Sequence, residues 1–202
     1  FLMETHHKCL KIGNYWMRIP KYEHHSKCKH CQQTETIDHI LFKCPQNHGK
    51  RLWAIAKVIC DRRKITWPTN LNVSHVMAAP IARINTTIGQ LKNGKTRLFR
   101  IVVLECAWQV WKARCCRVMN PNRPLTTLKE VTNTFQAGLN EKLQQDIMST
   151  CCKRFSHKAL PAKLVLHTWS GNLQEEERFP DSWLHSSRVL VGIPDRESHT
   201  HA

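Results

Sequence analysis

The chain has 202 residues, 41% of them hydrophobic, with 31 Lys and Arg against 15 Asp and Glu, a formal charge of +16 at neutral pH. That length can bury one good core, or one core with a small appended module, and the hydrophobic share excludes wholesale disorder. So large a positive surplus draws a protein to polyanions, meaning nucleic acid or an anionic membrane surface.

No apolar run approaches the roughly 20 residues that a transmembrane helix needs, and no signal-peptide pattern opens the chain. A soluble, intracellular protein is expected, with no membrane partner. A chain that opens on Phe1 reads as a processed product or a piece of a longer open reading frame. Ten cysteines could suggest disulfides. Secreted disulfide scaffolds are usually small and loop-rich, however. Here Cys60, Cys106, Cys115, Cys116, Cys151 and Cys152 sit in helix-like stretches, so reduced thiols are expected.

Residues 2–16 have loosely helical apolar spacing and predict a short helix, closed by Pro20. In 49–63, Leu52, Ile55, Ala56 and Ile59 fall at helical spacing among basic residues. A break at 66–70 precedes another short helix over 71–80, and the glycines of 81–95 read as a loop. Over 96–119 one apolar stripe runs through Leu98, Ile101, Leu104, Trp108, Trp111, Cys115 and Val118, and Asn120-Pro121 stops it. Over 127–153 the stripe is Leu128, Val131, Phe135, Leu139, Leu143 and Ile147, opened by a Thr127–Glu130 capping box. Two such helices joined by a short Pro-containing loop should pack as an antiparallel pair. A short helix over 158–168, a strand over 188–193 and a frayed tail complete the reading. The expected fold is mainly α: a small zinc-binding module over 1–64 with a basic helix, a helical region over 65–170, and an acidic, polar tail over 171–202.

The motif that carries chemistry is “CKHCQQTETIDHILFKC”, in which Cys28, Cys31, His39 and Cys44 follow C-x2-C-x7-H-x4-C spacing. Zinc takes four soft or borderline ligands in a tetrahedron, and a C-x2-C pair supplies two thiolates from one tight turn. Thr36 can cap a short helix that carries His39. On a continued α-helix Cys44 would lie about 140° around from His39, so the helix must end first. Pro45 forces this, because the residue before a proline leaves the α region. Lys27, Lys29 and Lys43 flank the site and favour thiolate. The competing reading is four ordinary residues of a Cys-rich chain, with His30 and His48 as substitutes at poorer spacing. A site with four protein ligands has no open position, which makes one structural Zn2+ the expected cofactor.

The stretch “RIPKYEHHSKCKHCQQTETIDHILFKCPQNHGKRLW” (18–53) resembles the zinc-binding domain at the C-terminal end of reverse transcriptases of non-LTR, LINE-like retroelements. Modules of that family show a Cys pair, an acidic-polar linker with Thr, a “HILF.CP”-like segment and a basic helix carrying “LW”. Cys28, Cys31, His39 and Cys44 match its ligand positions, and “HILFKCP” and “RLW” match its flanks. Further on, “LFRIVVLECAWQVWKARC” and “KALPAKLVLHTWSG” are similar, more weakly, to the downstream tails of fungal-type elements. The resemblance implies a non-catalytic module handling template RNA or target DNA beside upstream reverse transcriptase or ribonuclease H domains, with a nuclear location.

Polymerase and ribonuclease H chemistry needs clustered carboxylates for two metal ions. Asp38, Asp61, Glu105 and Asp146 are isolated in sequence, and no Gly-rich phosphate loop is present. No enzyme is expected, although an enzyme fragment lacking an upstream domain remains a third reading.

Residues 1–64 hold thirteen Lys and Arg against five Asp and Glu. Lys27, Lys29, Lys43, Lys50, Arg51, Lys57, Arg62, Arg63 and Lys64 are the candidate nucleic-acid contacts, with a solvated helix face as the plainer alternative. Arg97, Arg100, Lys112, Arg114 and Arg117 could extend that surface. Trp16, Trp67 and Trp183 are the candidates for base stacking. Cys115-Cys116 and Cys151-Cys152 are read as packed thiols more readily than as a second metal site. The alternative function is a zinc-stabilised protein-interaction module docking on a polymerase or ribonuclease H domain.

Overall fold

Where apolar spacing, a capping residue and a stop signal coincide, the chain forms a helix, as the periodicity predicts. The computed structural model describes residues 5, 10–84, 93–120, 122 and 124–193. It is mainly helical, with no strand among the described residues. The principal elements are α1 (Asn14–Met17), a π turn (His39–Lys43), α2 (Gly49–Arg62), α3 (Val73–Ala78), α4 (Asn93–Met119), α5 (Leu128–Ser149), α6 (Cys152–Phe155) and α7 (Ala162–Trp169).

The capping box forms as expected. Thr127 Oγ1 accepts the Glu130 N–H at 3.2 Å, and the Glu130 carboxylate accepts the Thr127 N–H at 2.6 Å. On α5, Val131, Phe135, Leu139 and Leu143 are buried and Ile147 packs against the core, which is the stripe the sequence displays. Each such buried side chain contributes about 1.5–3 kcal/mol relative to exposure. The helix pair is antiparallel. Arg97, near the start of α4, pairs with Asp146 near the end of α5, while Glu105, in the middle of α4, faces Gly138 in the middle of α5.

On α4 the buried face differs from the expected stripe. Leu98, Phe99, Val102, Val103, Cys106, Ala107 and Val110 are buried, whereas Trp108 and Val118 are 41% and 38% exposed. The reason is that α4 is the central helix, packed against α2, α5, α7 and the π turn. A helix held from several sides buries a broad arc, and its single most regular stripe no longer marks the inward direction.

Three further expectations are corrected. Helix α4 begins at Asn93, inside the segment read as loop, of which 85–92 lie outside the described residues. Over 10–16 only the turn beginning at Asn14 is helical, because Gly13 interrupts with a φ of 44°; residues 1–4 and 6–9 are outside the described part. The segment 188–193 makes no strand, only one antiparallel bridge between Leu173 and Val191. Two backbone hydrogen bonds flank that bridge, and isolated pairing of this size is marginal without packing beneath it. Leu173, Trp183, Leu184, Val189 and Val191 supply that packing by entering the same core as the helices.

Replacing Leu139 by Ala should cost about 2–5 kcal/mol of unfolding free energy, and Thr127→Ala about 1 kcal/mol, both read from denaturant midpoints.

Candidate metal centre

The C-x2-C turn is built by the backbone. Cys28 N–H donates to Gln33 O at 2.8 Å, Gln32 N–H donates to Cys28 O at 2.9 Å, and a bridge between Lys27 and Thr34 closes the base. Gln32 sits in the left-handed region, with φ 58°, where the chain reverses. Glu35 N–H then donates to Ser26 O at 2.8 Å.

The second ligand pair rests on a wide helical turn. Thr36 Oγ1 accepts the His39 N–H at 3.0 Å, the cap that the sequence displays. The helix then widens instead of ending, because Cys44 N–H donates five residues back to His39 O at 2.7 Å. A π turn carries more residues per revolution than an α turn and so brings Cys44 round toward His39. Cys44 itself is extended, with ψ 119°, as its position before Pro45 requires. The turn is pinned to the core from beneath. Asn47 Nδ2 donates to Ile40 O at 2.7 Å, and Trp53 Nε1 donates to Leu41 O at 2.9 Å. Gly49 passes so close that a β-carbon there would stand 2.6 Å from Leu41 O.

The result brings the four predicted side chains together. One ligand atom each from Cys28, Cys31, His39 and Cys44 lies within 4.8 Å of all the others. Cys28 Sγ and Cys44 Sγ are 3.9 Å apart, and Cys31 Sγ is 3.4 Å from His39 Nε2. Cys28, His39 and Cys44 are buried and Cys31 is half-buried. The set could hold one metal ion. His30, the substitute within the turn, is exposed.

Electrostatics fits that use. Burial works against ionisation of Cys28, but the N–H groups of His30 and Cys31 aimed at its sulfur, together with the Cys31 and Cys44 thiols, outweigh burial and hold the thiol below its usual value. Burial keeps His39 below its ordinary value, leaving the neutral imidazole that a metal requires. Burial pushes the Cys44 thiol up to about 11, against the N–H of Gln46. A thiolate at that position is therefore stable only beside a cation. The thiols embedded in the helices differ: burial lifts Cys60 to about 12 and holds Cys106 well above its ordinary value, the condition of inert packed cysteines.

Residues that sequence reasoning did not assign to the site fasten it to the helical body. Glu35 accepts from Arg114 of α4 at both carboxylate oxygens, at 3.2 and 2.5 Å, with side-chain exposures of 5% and 11%. Arg117, one turn on, donates to Gln46 O at 3.3 Å. The pairing of Glu35 with Arg114 had no signal in the sequence, since it spans 79 positions and only the fold creates it.

The candidate nucleic-acid residues divide into two groups. Lys27, Lys29, Lys50, Arg51 and Lys64 are exposed, and so is Lys43, which pairs with Asp38. Lys57 pairs with Asp61 on its own helix. Arg62 and Arg63 turn onto the body of the protein, donating to Gly192 O at 2.6 Å and to His167 O at 3.0 Å. Of the second basic set, Arg97 is held by Asp146, Arg100 by Ala82 O and Arg114 by Glu35, while Lys112 lies over the Trp108 ring. Trp183 is buried and donates to Ser170 Oγ, which removes it from the stacking candidates. Trp16 is packed among Tyr15, Tyr22 and His25, and Trp67 lies edge-on to Phe99. The antiparallel pairing places Cys115-Cys116 and Cys151-Cys152 at opposite ends of the helices, so they form no common site.

Comparison of the chain with family models, curated proteins and solved structures finds no match.

Removing one partner of a buried ion pair leaves an uncompensated charge, so Arg114→Met and Glu35→Leu should each lower stability by about 3–5 kcal/mol. The double variant should recover most of that loss, and a double-mutant cycle on urea unfolding measures the coupling.

Proposed function

We propose that the chain is a zinc-stabilised, non-catalytic nucleic-acid-binding module of a retroelement reverse transcriptase polyprotein, contacting template RNA or target DNA. The observation that carries this reading is the convergence of Cys28, Cys31, His39 and Cys44 at the positions that resemble the family’s ligand set. Zinc is the metal this donor set suits best. Tetrahedral zinc with ordinary bond lengths separates two sulfurs by about 3.8 Å and a sulfur from a nitrogen by about 3.5 Å. The separations of 3.9 and 3.4 Å fall close to both. With four protein ligands and three of them buried, the ion shapes the fold and activates no water. The scattered carboxylates support a non-catalytic role, since Asp38, Asp61 and Glu105 are engaged by Lys43, Lys57 and Gln109, and Asp146 by Arg97 and the Trp169 indole N–H.

Around this centre, Lys27, Lys29, Lys50 and Arg51 are exposed on the C-x2-C turn and the first turn of α2. They offer charge to phosphates without sacrificing a contact that holds the fold. A nuclear location and neighbouring reverse transcriptase or ribonuclease H domains belong to the same proposal. One observation favours the second reading, a protein-interaction module: Trp108, Val118 and Met119 stand exposed on the outer side of α4, away from the core.

Protein purified without added metal should contain one zinc per chain by mass spectrometry. Cys31→Ser should lose it and release the structure of the N-terminal third. A folded, metal-free wild type would overturn the proposal. The paired change Lys50→Glu/Arg51→Glu is safe for the fold, because acidic residues suit the first turn of a helix. It should lower the salt dependence of RNA or DNA binding by about 0.7–0.9 in log–log slope for each phosphate no longer neutralised. Unchanged retention of nucleic acid by that variant, with a polymerase domain still bound, would favour the interaction module.

A further inference from the structure

From 147 to 174 the chain contains no Asp or Glu, yet it carries Lys153, Arg154, Lys158 and Lys163 with His157 and His167. This is a long stretch of the +16 chain in which no carboxylate offsets the cations. The segment is tied into a compact loop. Leu160 N–H donates to Ser149 O at 2.8 Å, which closes the ends of 149–160 on each other. Within it Arg154 and Phe155 N–H both donate to Cys151 O, and Ala159 N–H donates to Ser156 O. Ser156, with φ 50°, turns the chain between α6 and the following single helical turn. Lys153, Arg154, His157, Lys158 and Lys163 are all exposed. Among the described residues none of these lysines and arginines has an acidic partner. Arg154 instead lies 5.6 Å from the Phe155 ring centroid, an arrangement that leaves its guanidinium edge open to an anion.

That loop lies at the end of the helix pair away from the metal centre. It follows directly on the end of α5, where Asp146 meets Arg97, whereas the metal turn is clasped by Arg114. Between those two arginines α4 runs about 25 Å. One turn of duplex covers about 34 Å, so a single nucleic acid is long enough to reach both places.

We propose that the loop 151–163 is a second, metal-independent docking surface for a phosphodiester backbone, either RNA or DNA. The charge pattern favours a nucleic acid over a lipid surface. Its cations occupy successive turns of one tight loop, and the apolar side chains there, Phe155 and Leu160, are half-buried instead of presented for insertion. The proposal rests on the nucleic-acid reading above only for its biological setting, since the loop would bind a polyanion whether or not the metal turn does.

The test uses the full chain and the triple variant Lys153→Glu/Arg154→Glu/Lys158→Glu, with Lys153→Gln/Lys158→Gln as a gentler second variant. A fluorescent oligonucleotide, as RNA and as duplex DNA, is titrated at several salt concentrations with and without a zinc chelator. Equimolar phosphatidylcholine–phosphatidylserine vesicles are the control, and thermal melts check folding. The triple variant should bind at least roughly tenfold more weakly at low salt, with a log–log slope shallower by about 2–3, and the double variant should lose about two thirds as much slope. The comparison of RNA with DNA tells which backbone is held more tightly. Loss of binding in the triple variant beside unchanged binding in Lys50→Glu/Arg51→Glu would support this loop and sink the metal-side surface. The reverse pattern in folded proteins would overturn the loop. Vesicle binding abolished without change in oligonucleotide binding would also overturn it, in favour of a membrane surface.

Discussion

A guanidinium buried against a carboxylate holds this molecule’s two halves together. Arg114 comes from the last third of the central helix and Glu35 from the turn between the two pairs of candidate metal ligands. Glu35 is occupied in every direction. Its N–H is bonded to Ser26 O, its carbonyl lies against Gly13, and its side chain meets Arg114. Arg114 is in turn placed 5.3 Å from the Trp111 ring centroid and remains charged, because the Glu35 contact outweighs the cost of its burial. Such a pair adds little net stability compared with apolar packing, but it tolerates only one arrangement. It fixes the rotation of α4 about its axis, and with it which residues of α4 face α5 and which face the cysteine turn.

The same logic sorts the cations. Several arginines are tied to fixed acceptors of the fold: Arg97 and Arg114 to both oxygens of a carboxylate, and Arg62, Arg63 and Arg100 to backbone carbonyls. The planar fork suits such fixed acceptors, whereas a lysine ammonium is compact, strongly hydrated and stays in water. Lys27, Lys29, Lys50, Lys64, Lys153, Lys158 and Lys163 are accordingly exposed. A net charge read from composition counts both kinds alike. The exposed charge is carried mainly by lysine, with groups near the cysteine turn and in the loop after α5.

Local signals were legible in the sequence and long-range ones were not. The ligand spacing, the Thr36 and Thr127 caps, the extended residue before Pro45 and the stripe of α5 each depend on a few neighbouring residues, and the structure places them as expected. The π turn was not legible, because it is set by Asn47 and Trp53 holding the carbonyls of Ile40 and Leu41 from below. The inward face of α4 escapes a reading of spacing for a similar reason, since Ile101, Trp108 and Cys115 form the more regular stripe while packing from several sides selects Val102, Cys106 and Val110. The acidic, polar segment that opens at residue 171 gave no sign of its internal bonding. There the Glu176 carboxylate accepts the N–H groups of Gly171 and Leu173, closing the turn that leads Trp183 and Val191 into the core.

The cysteine turn and its clasp close chain spans of very different length. The contact between Cys28 and Cys44 closes a loop of 16 positions, while the clasp to Arg114 closes one of 79. Chain closure over the longer span costs roughly 1.4 kcal/mol more in entropy. The cysteine turn is therefore the cheaper of the two to close, and the clasp draws on the packing of the whole helical core to offset its longer span.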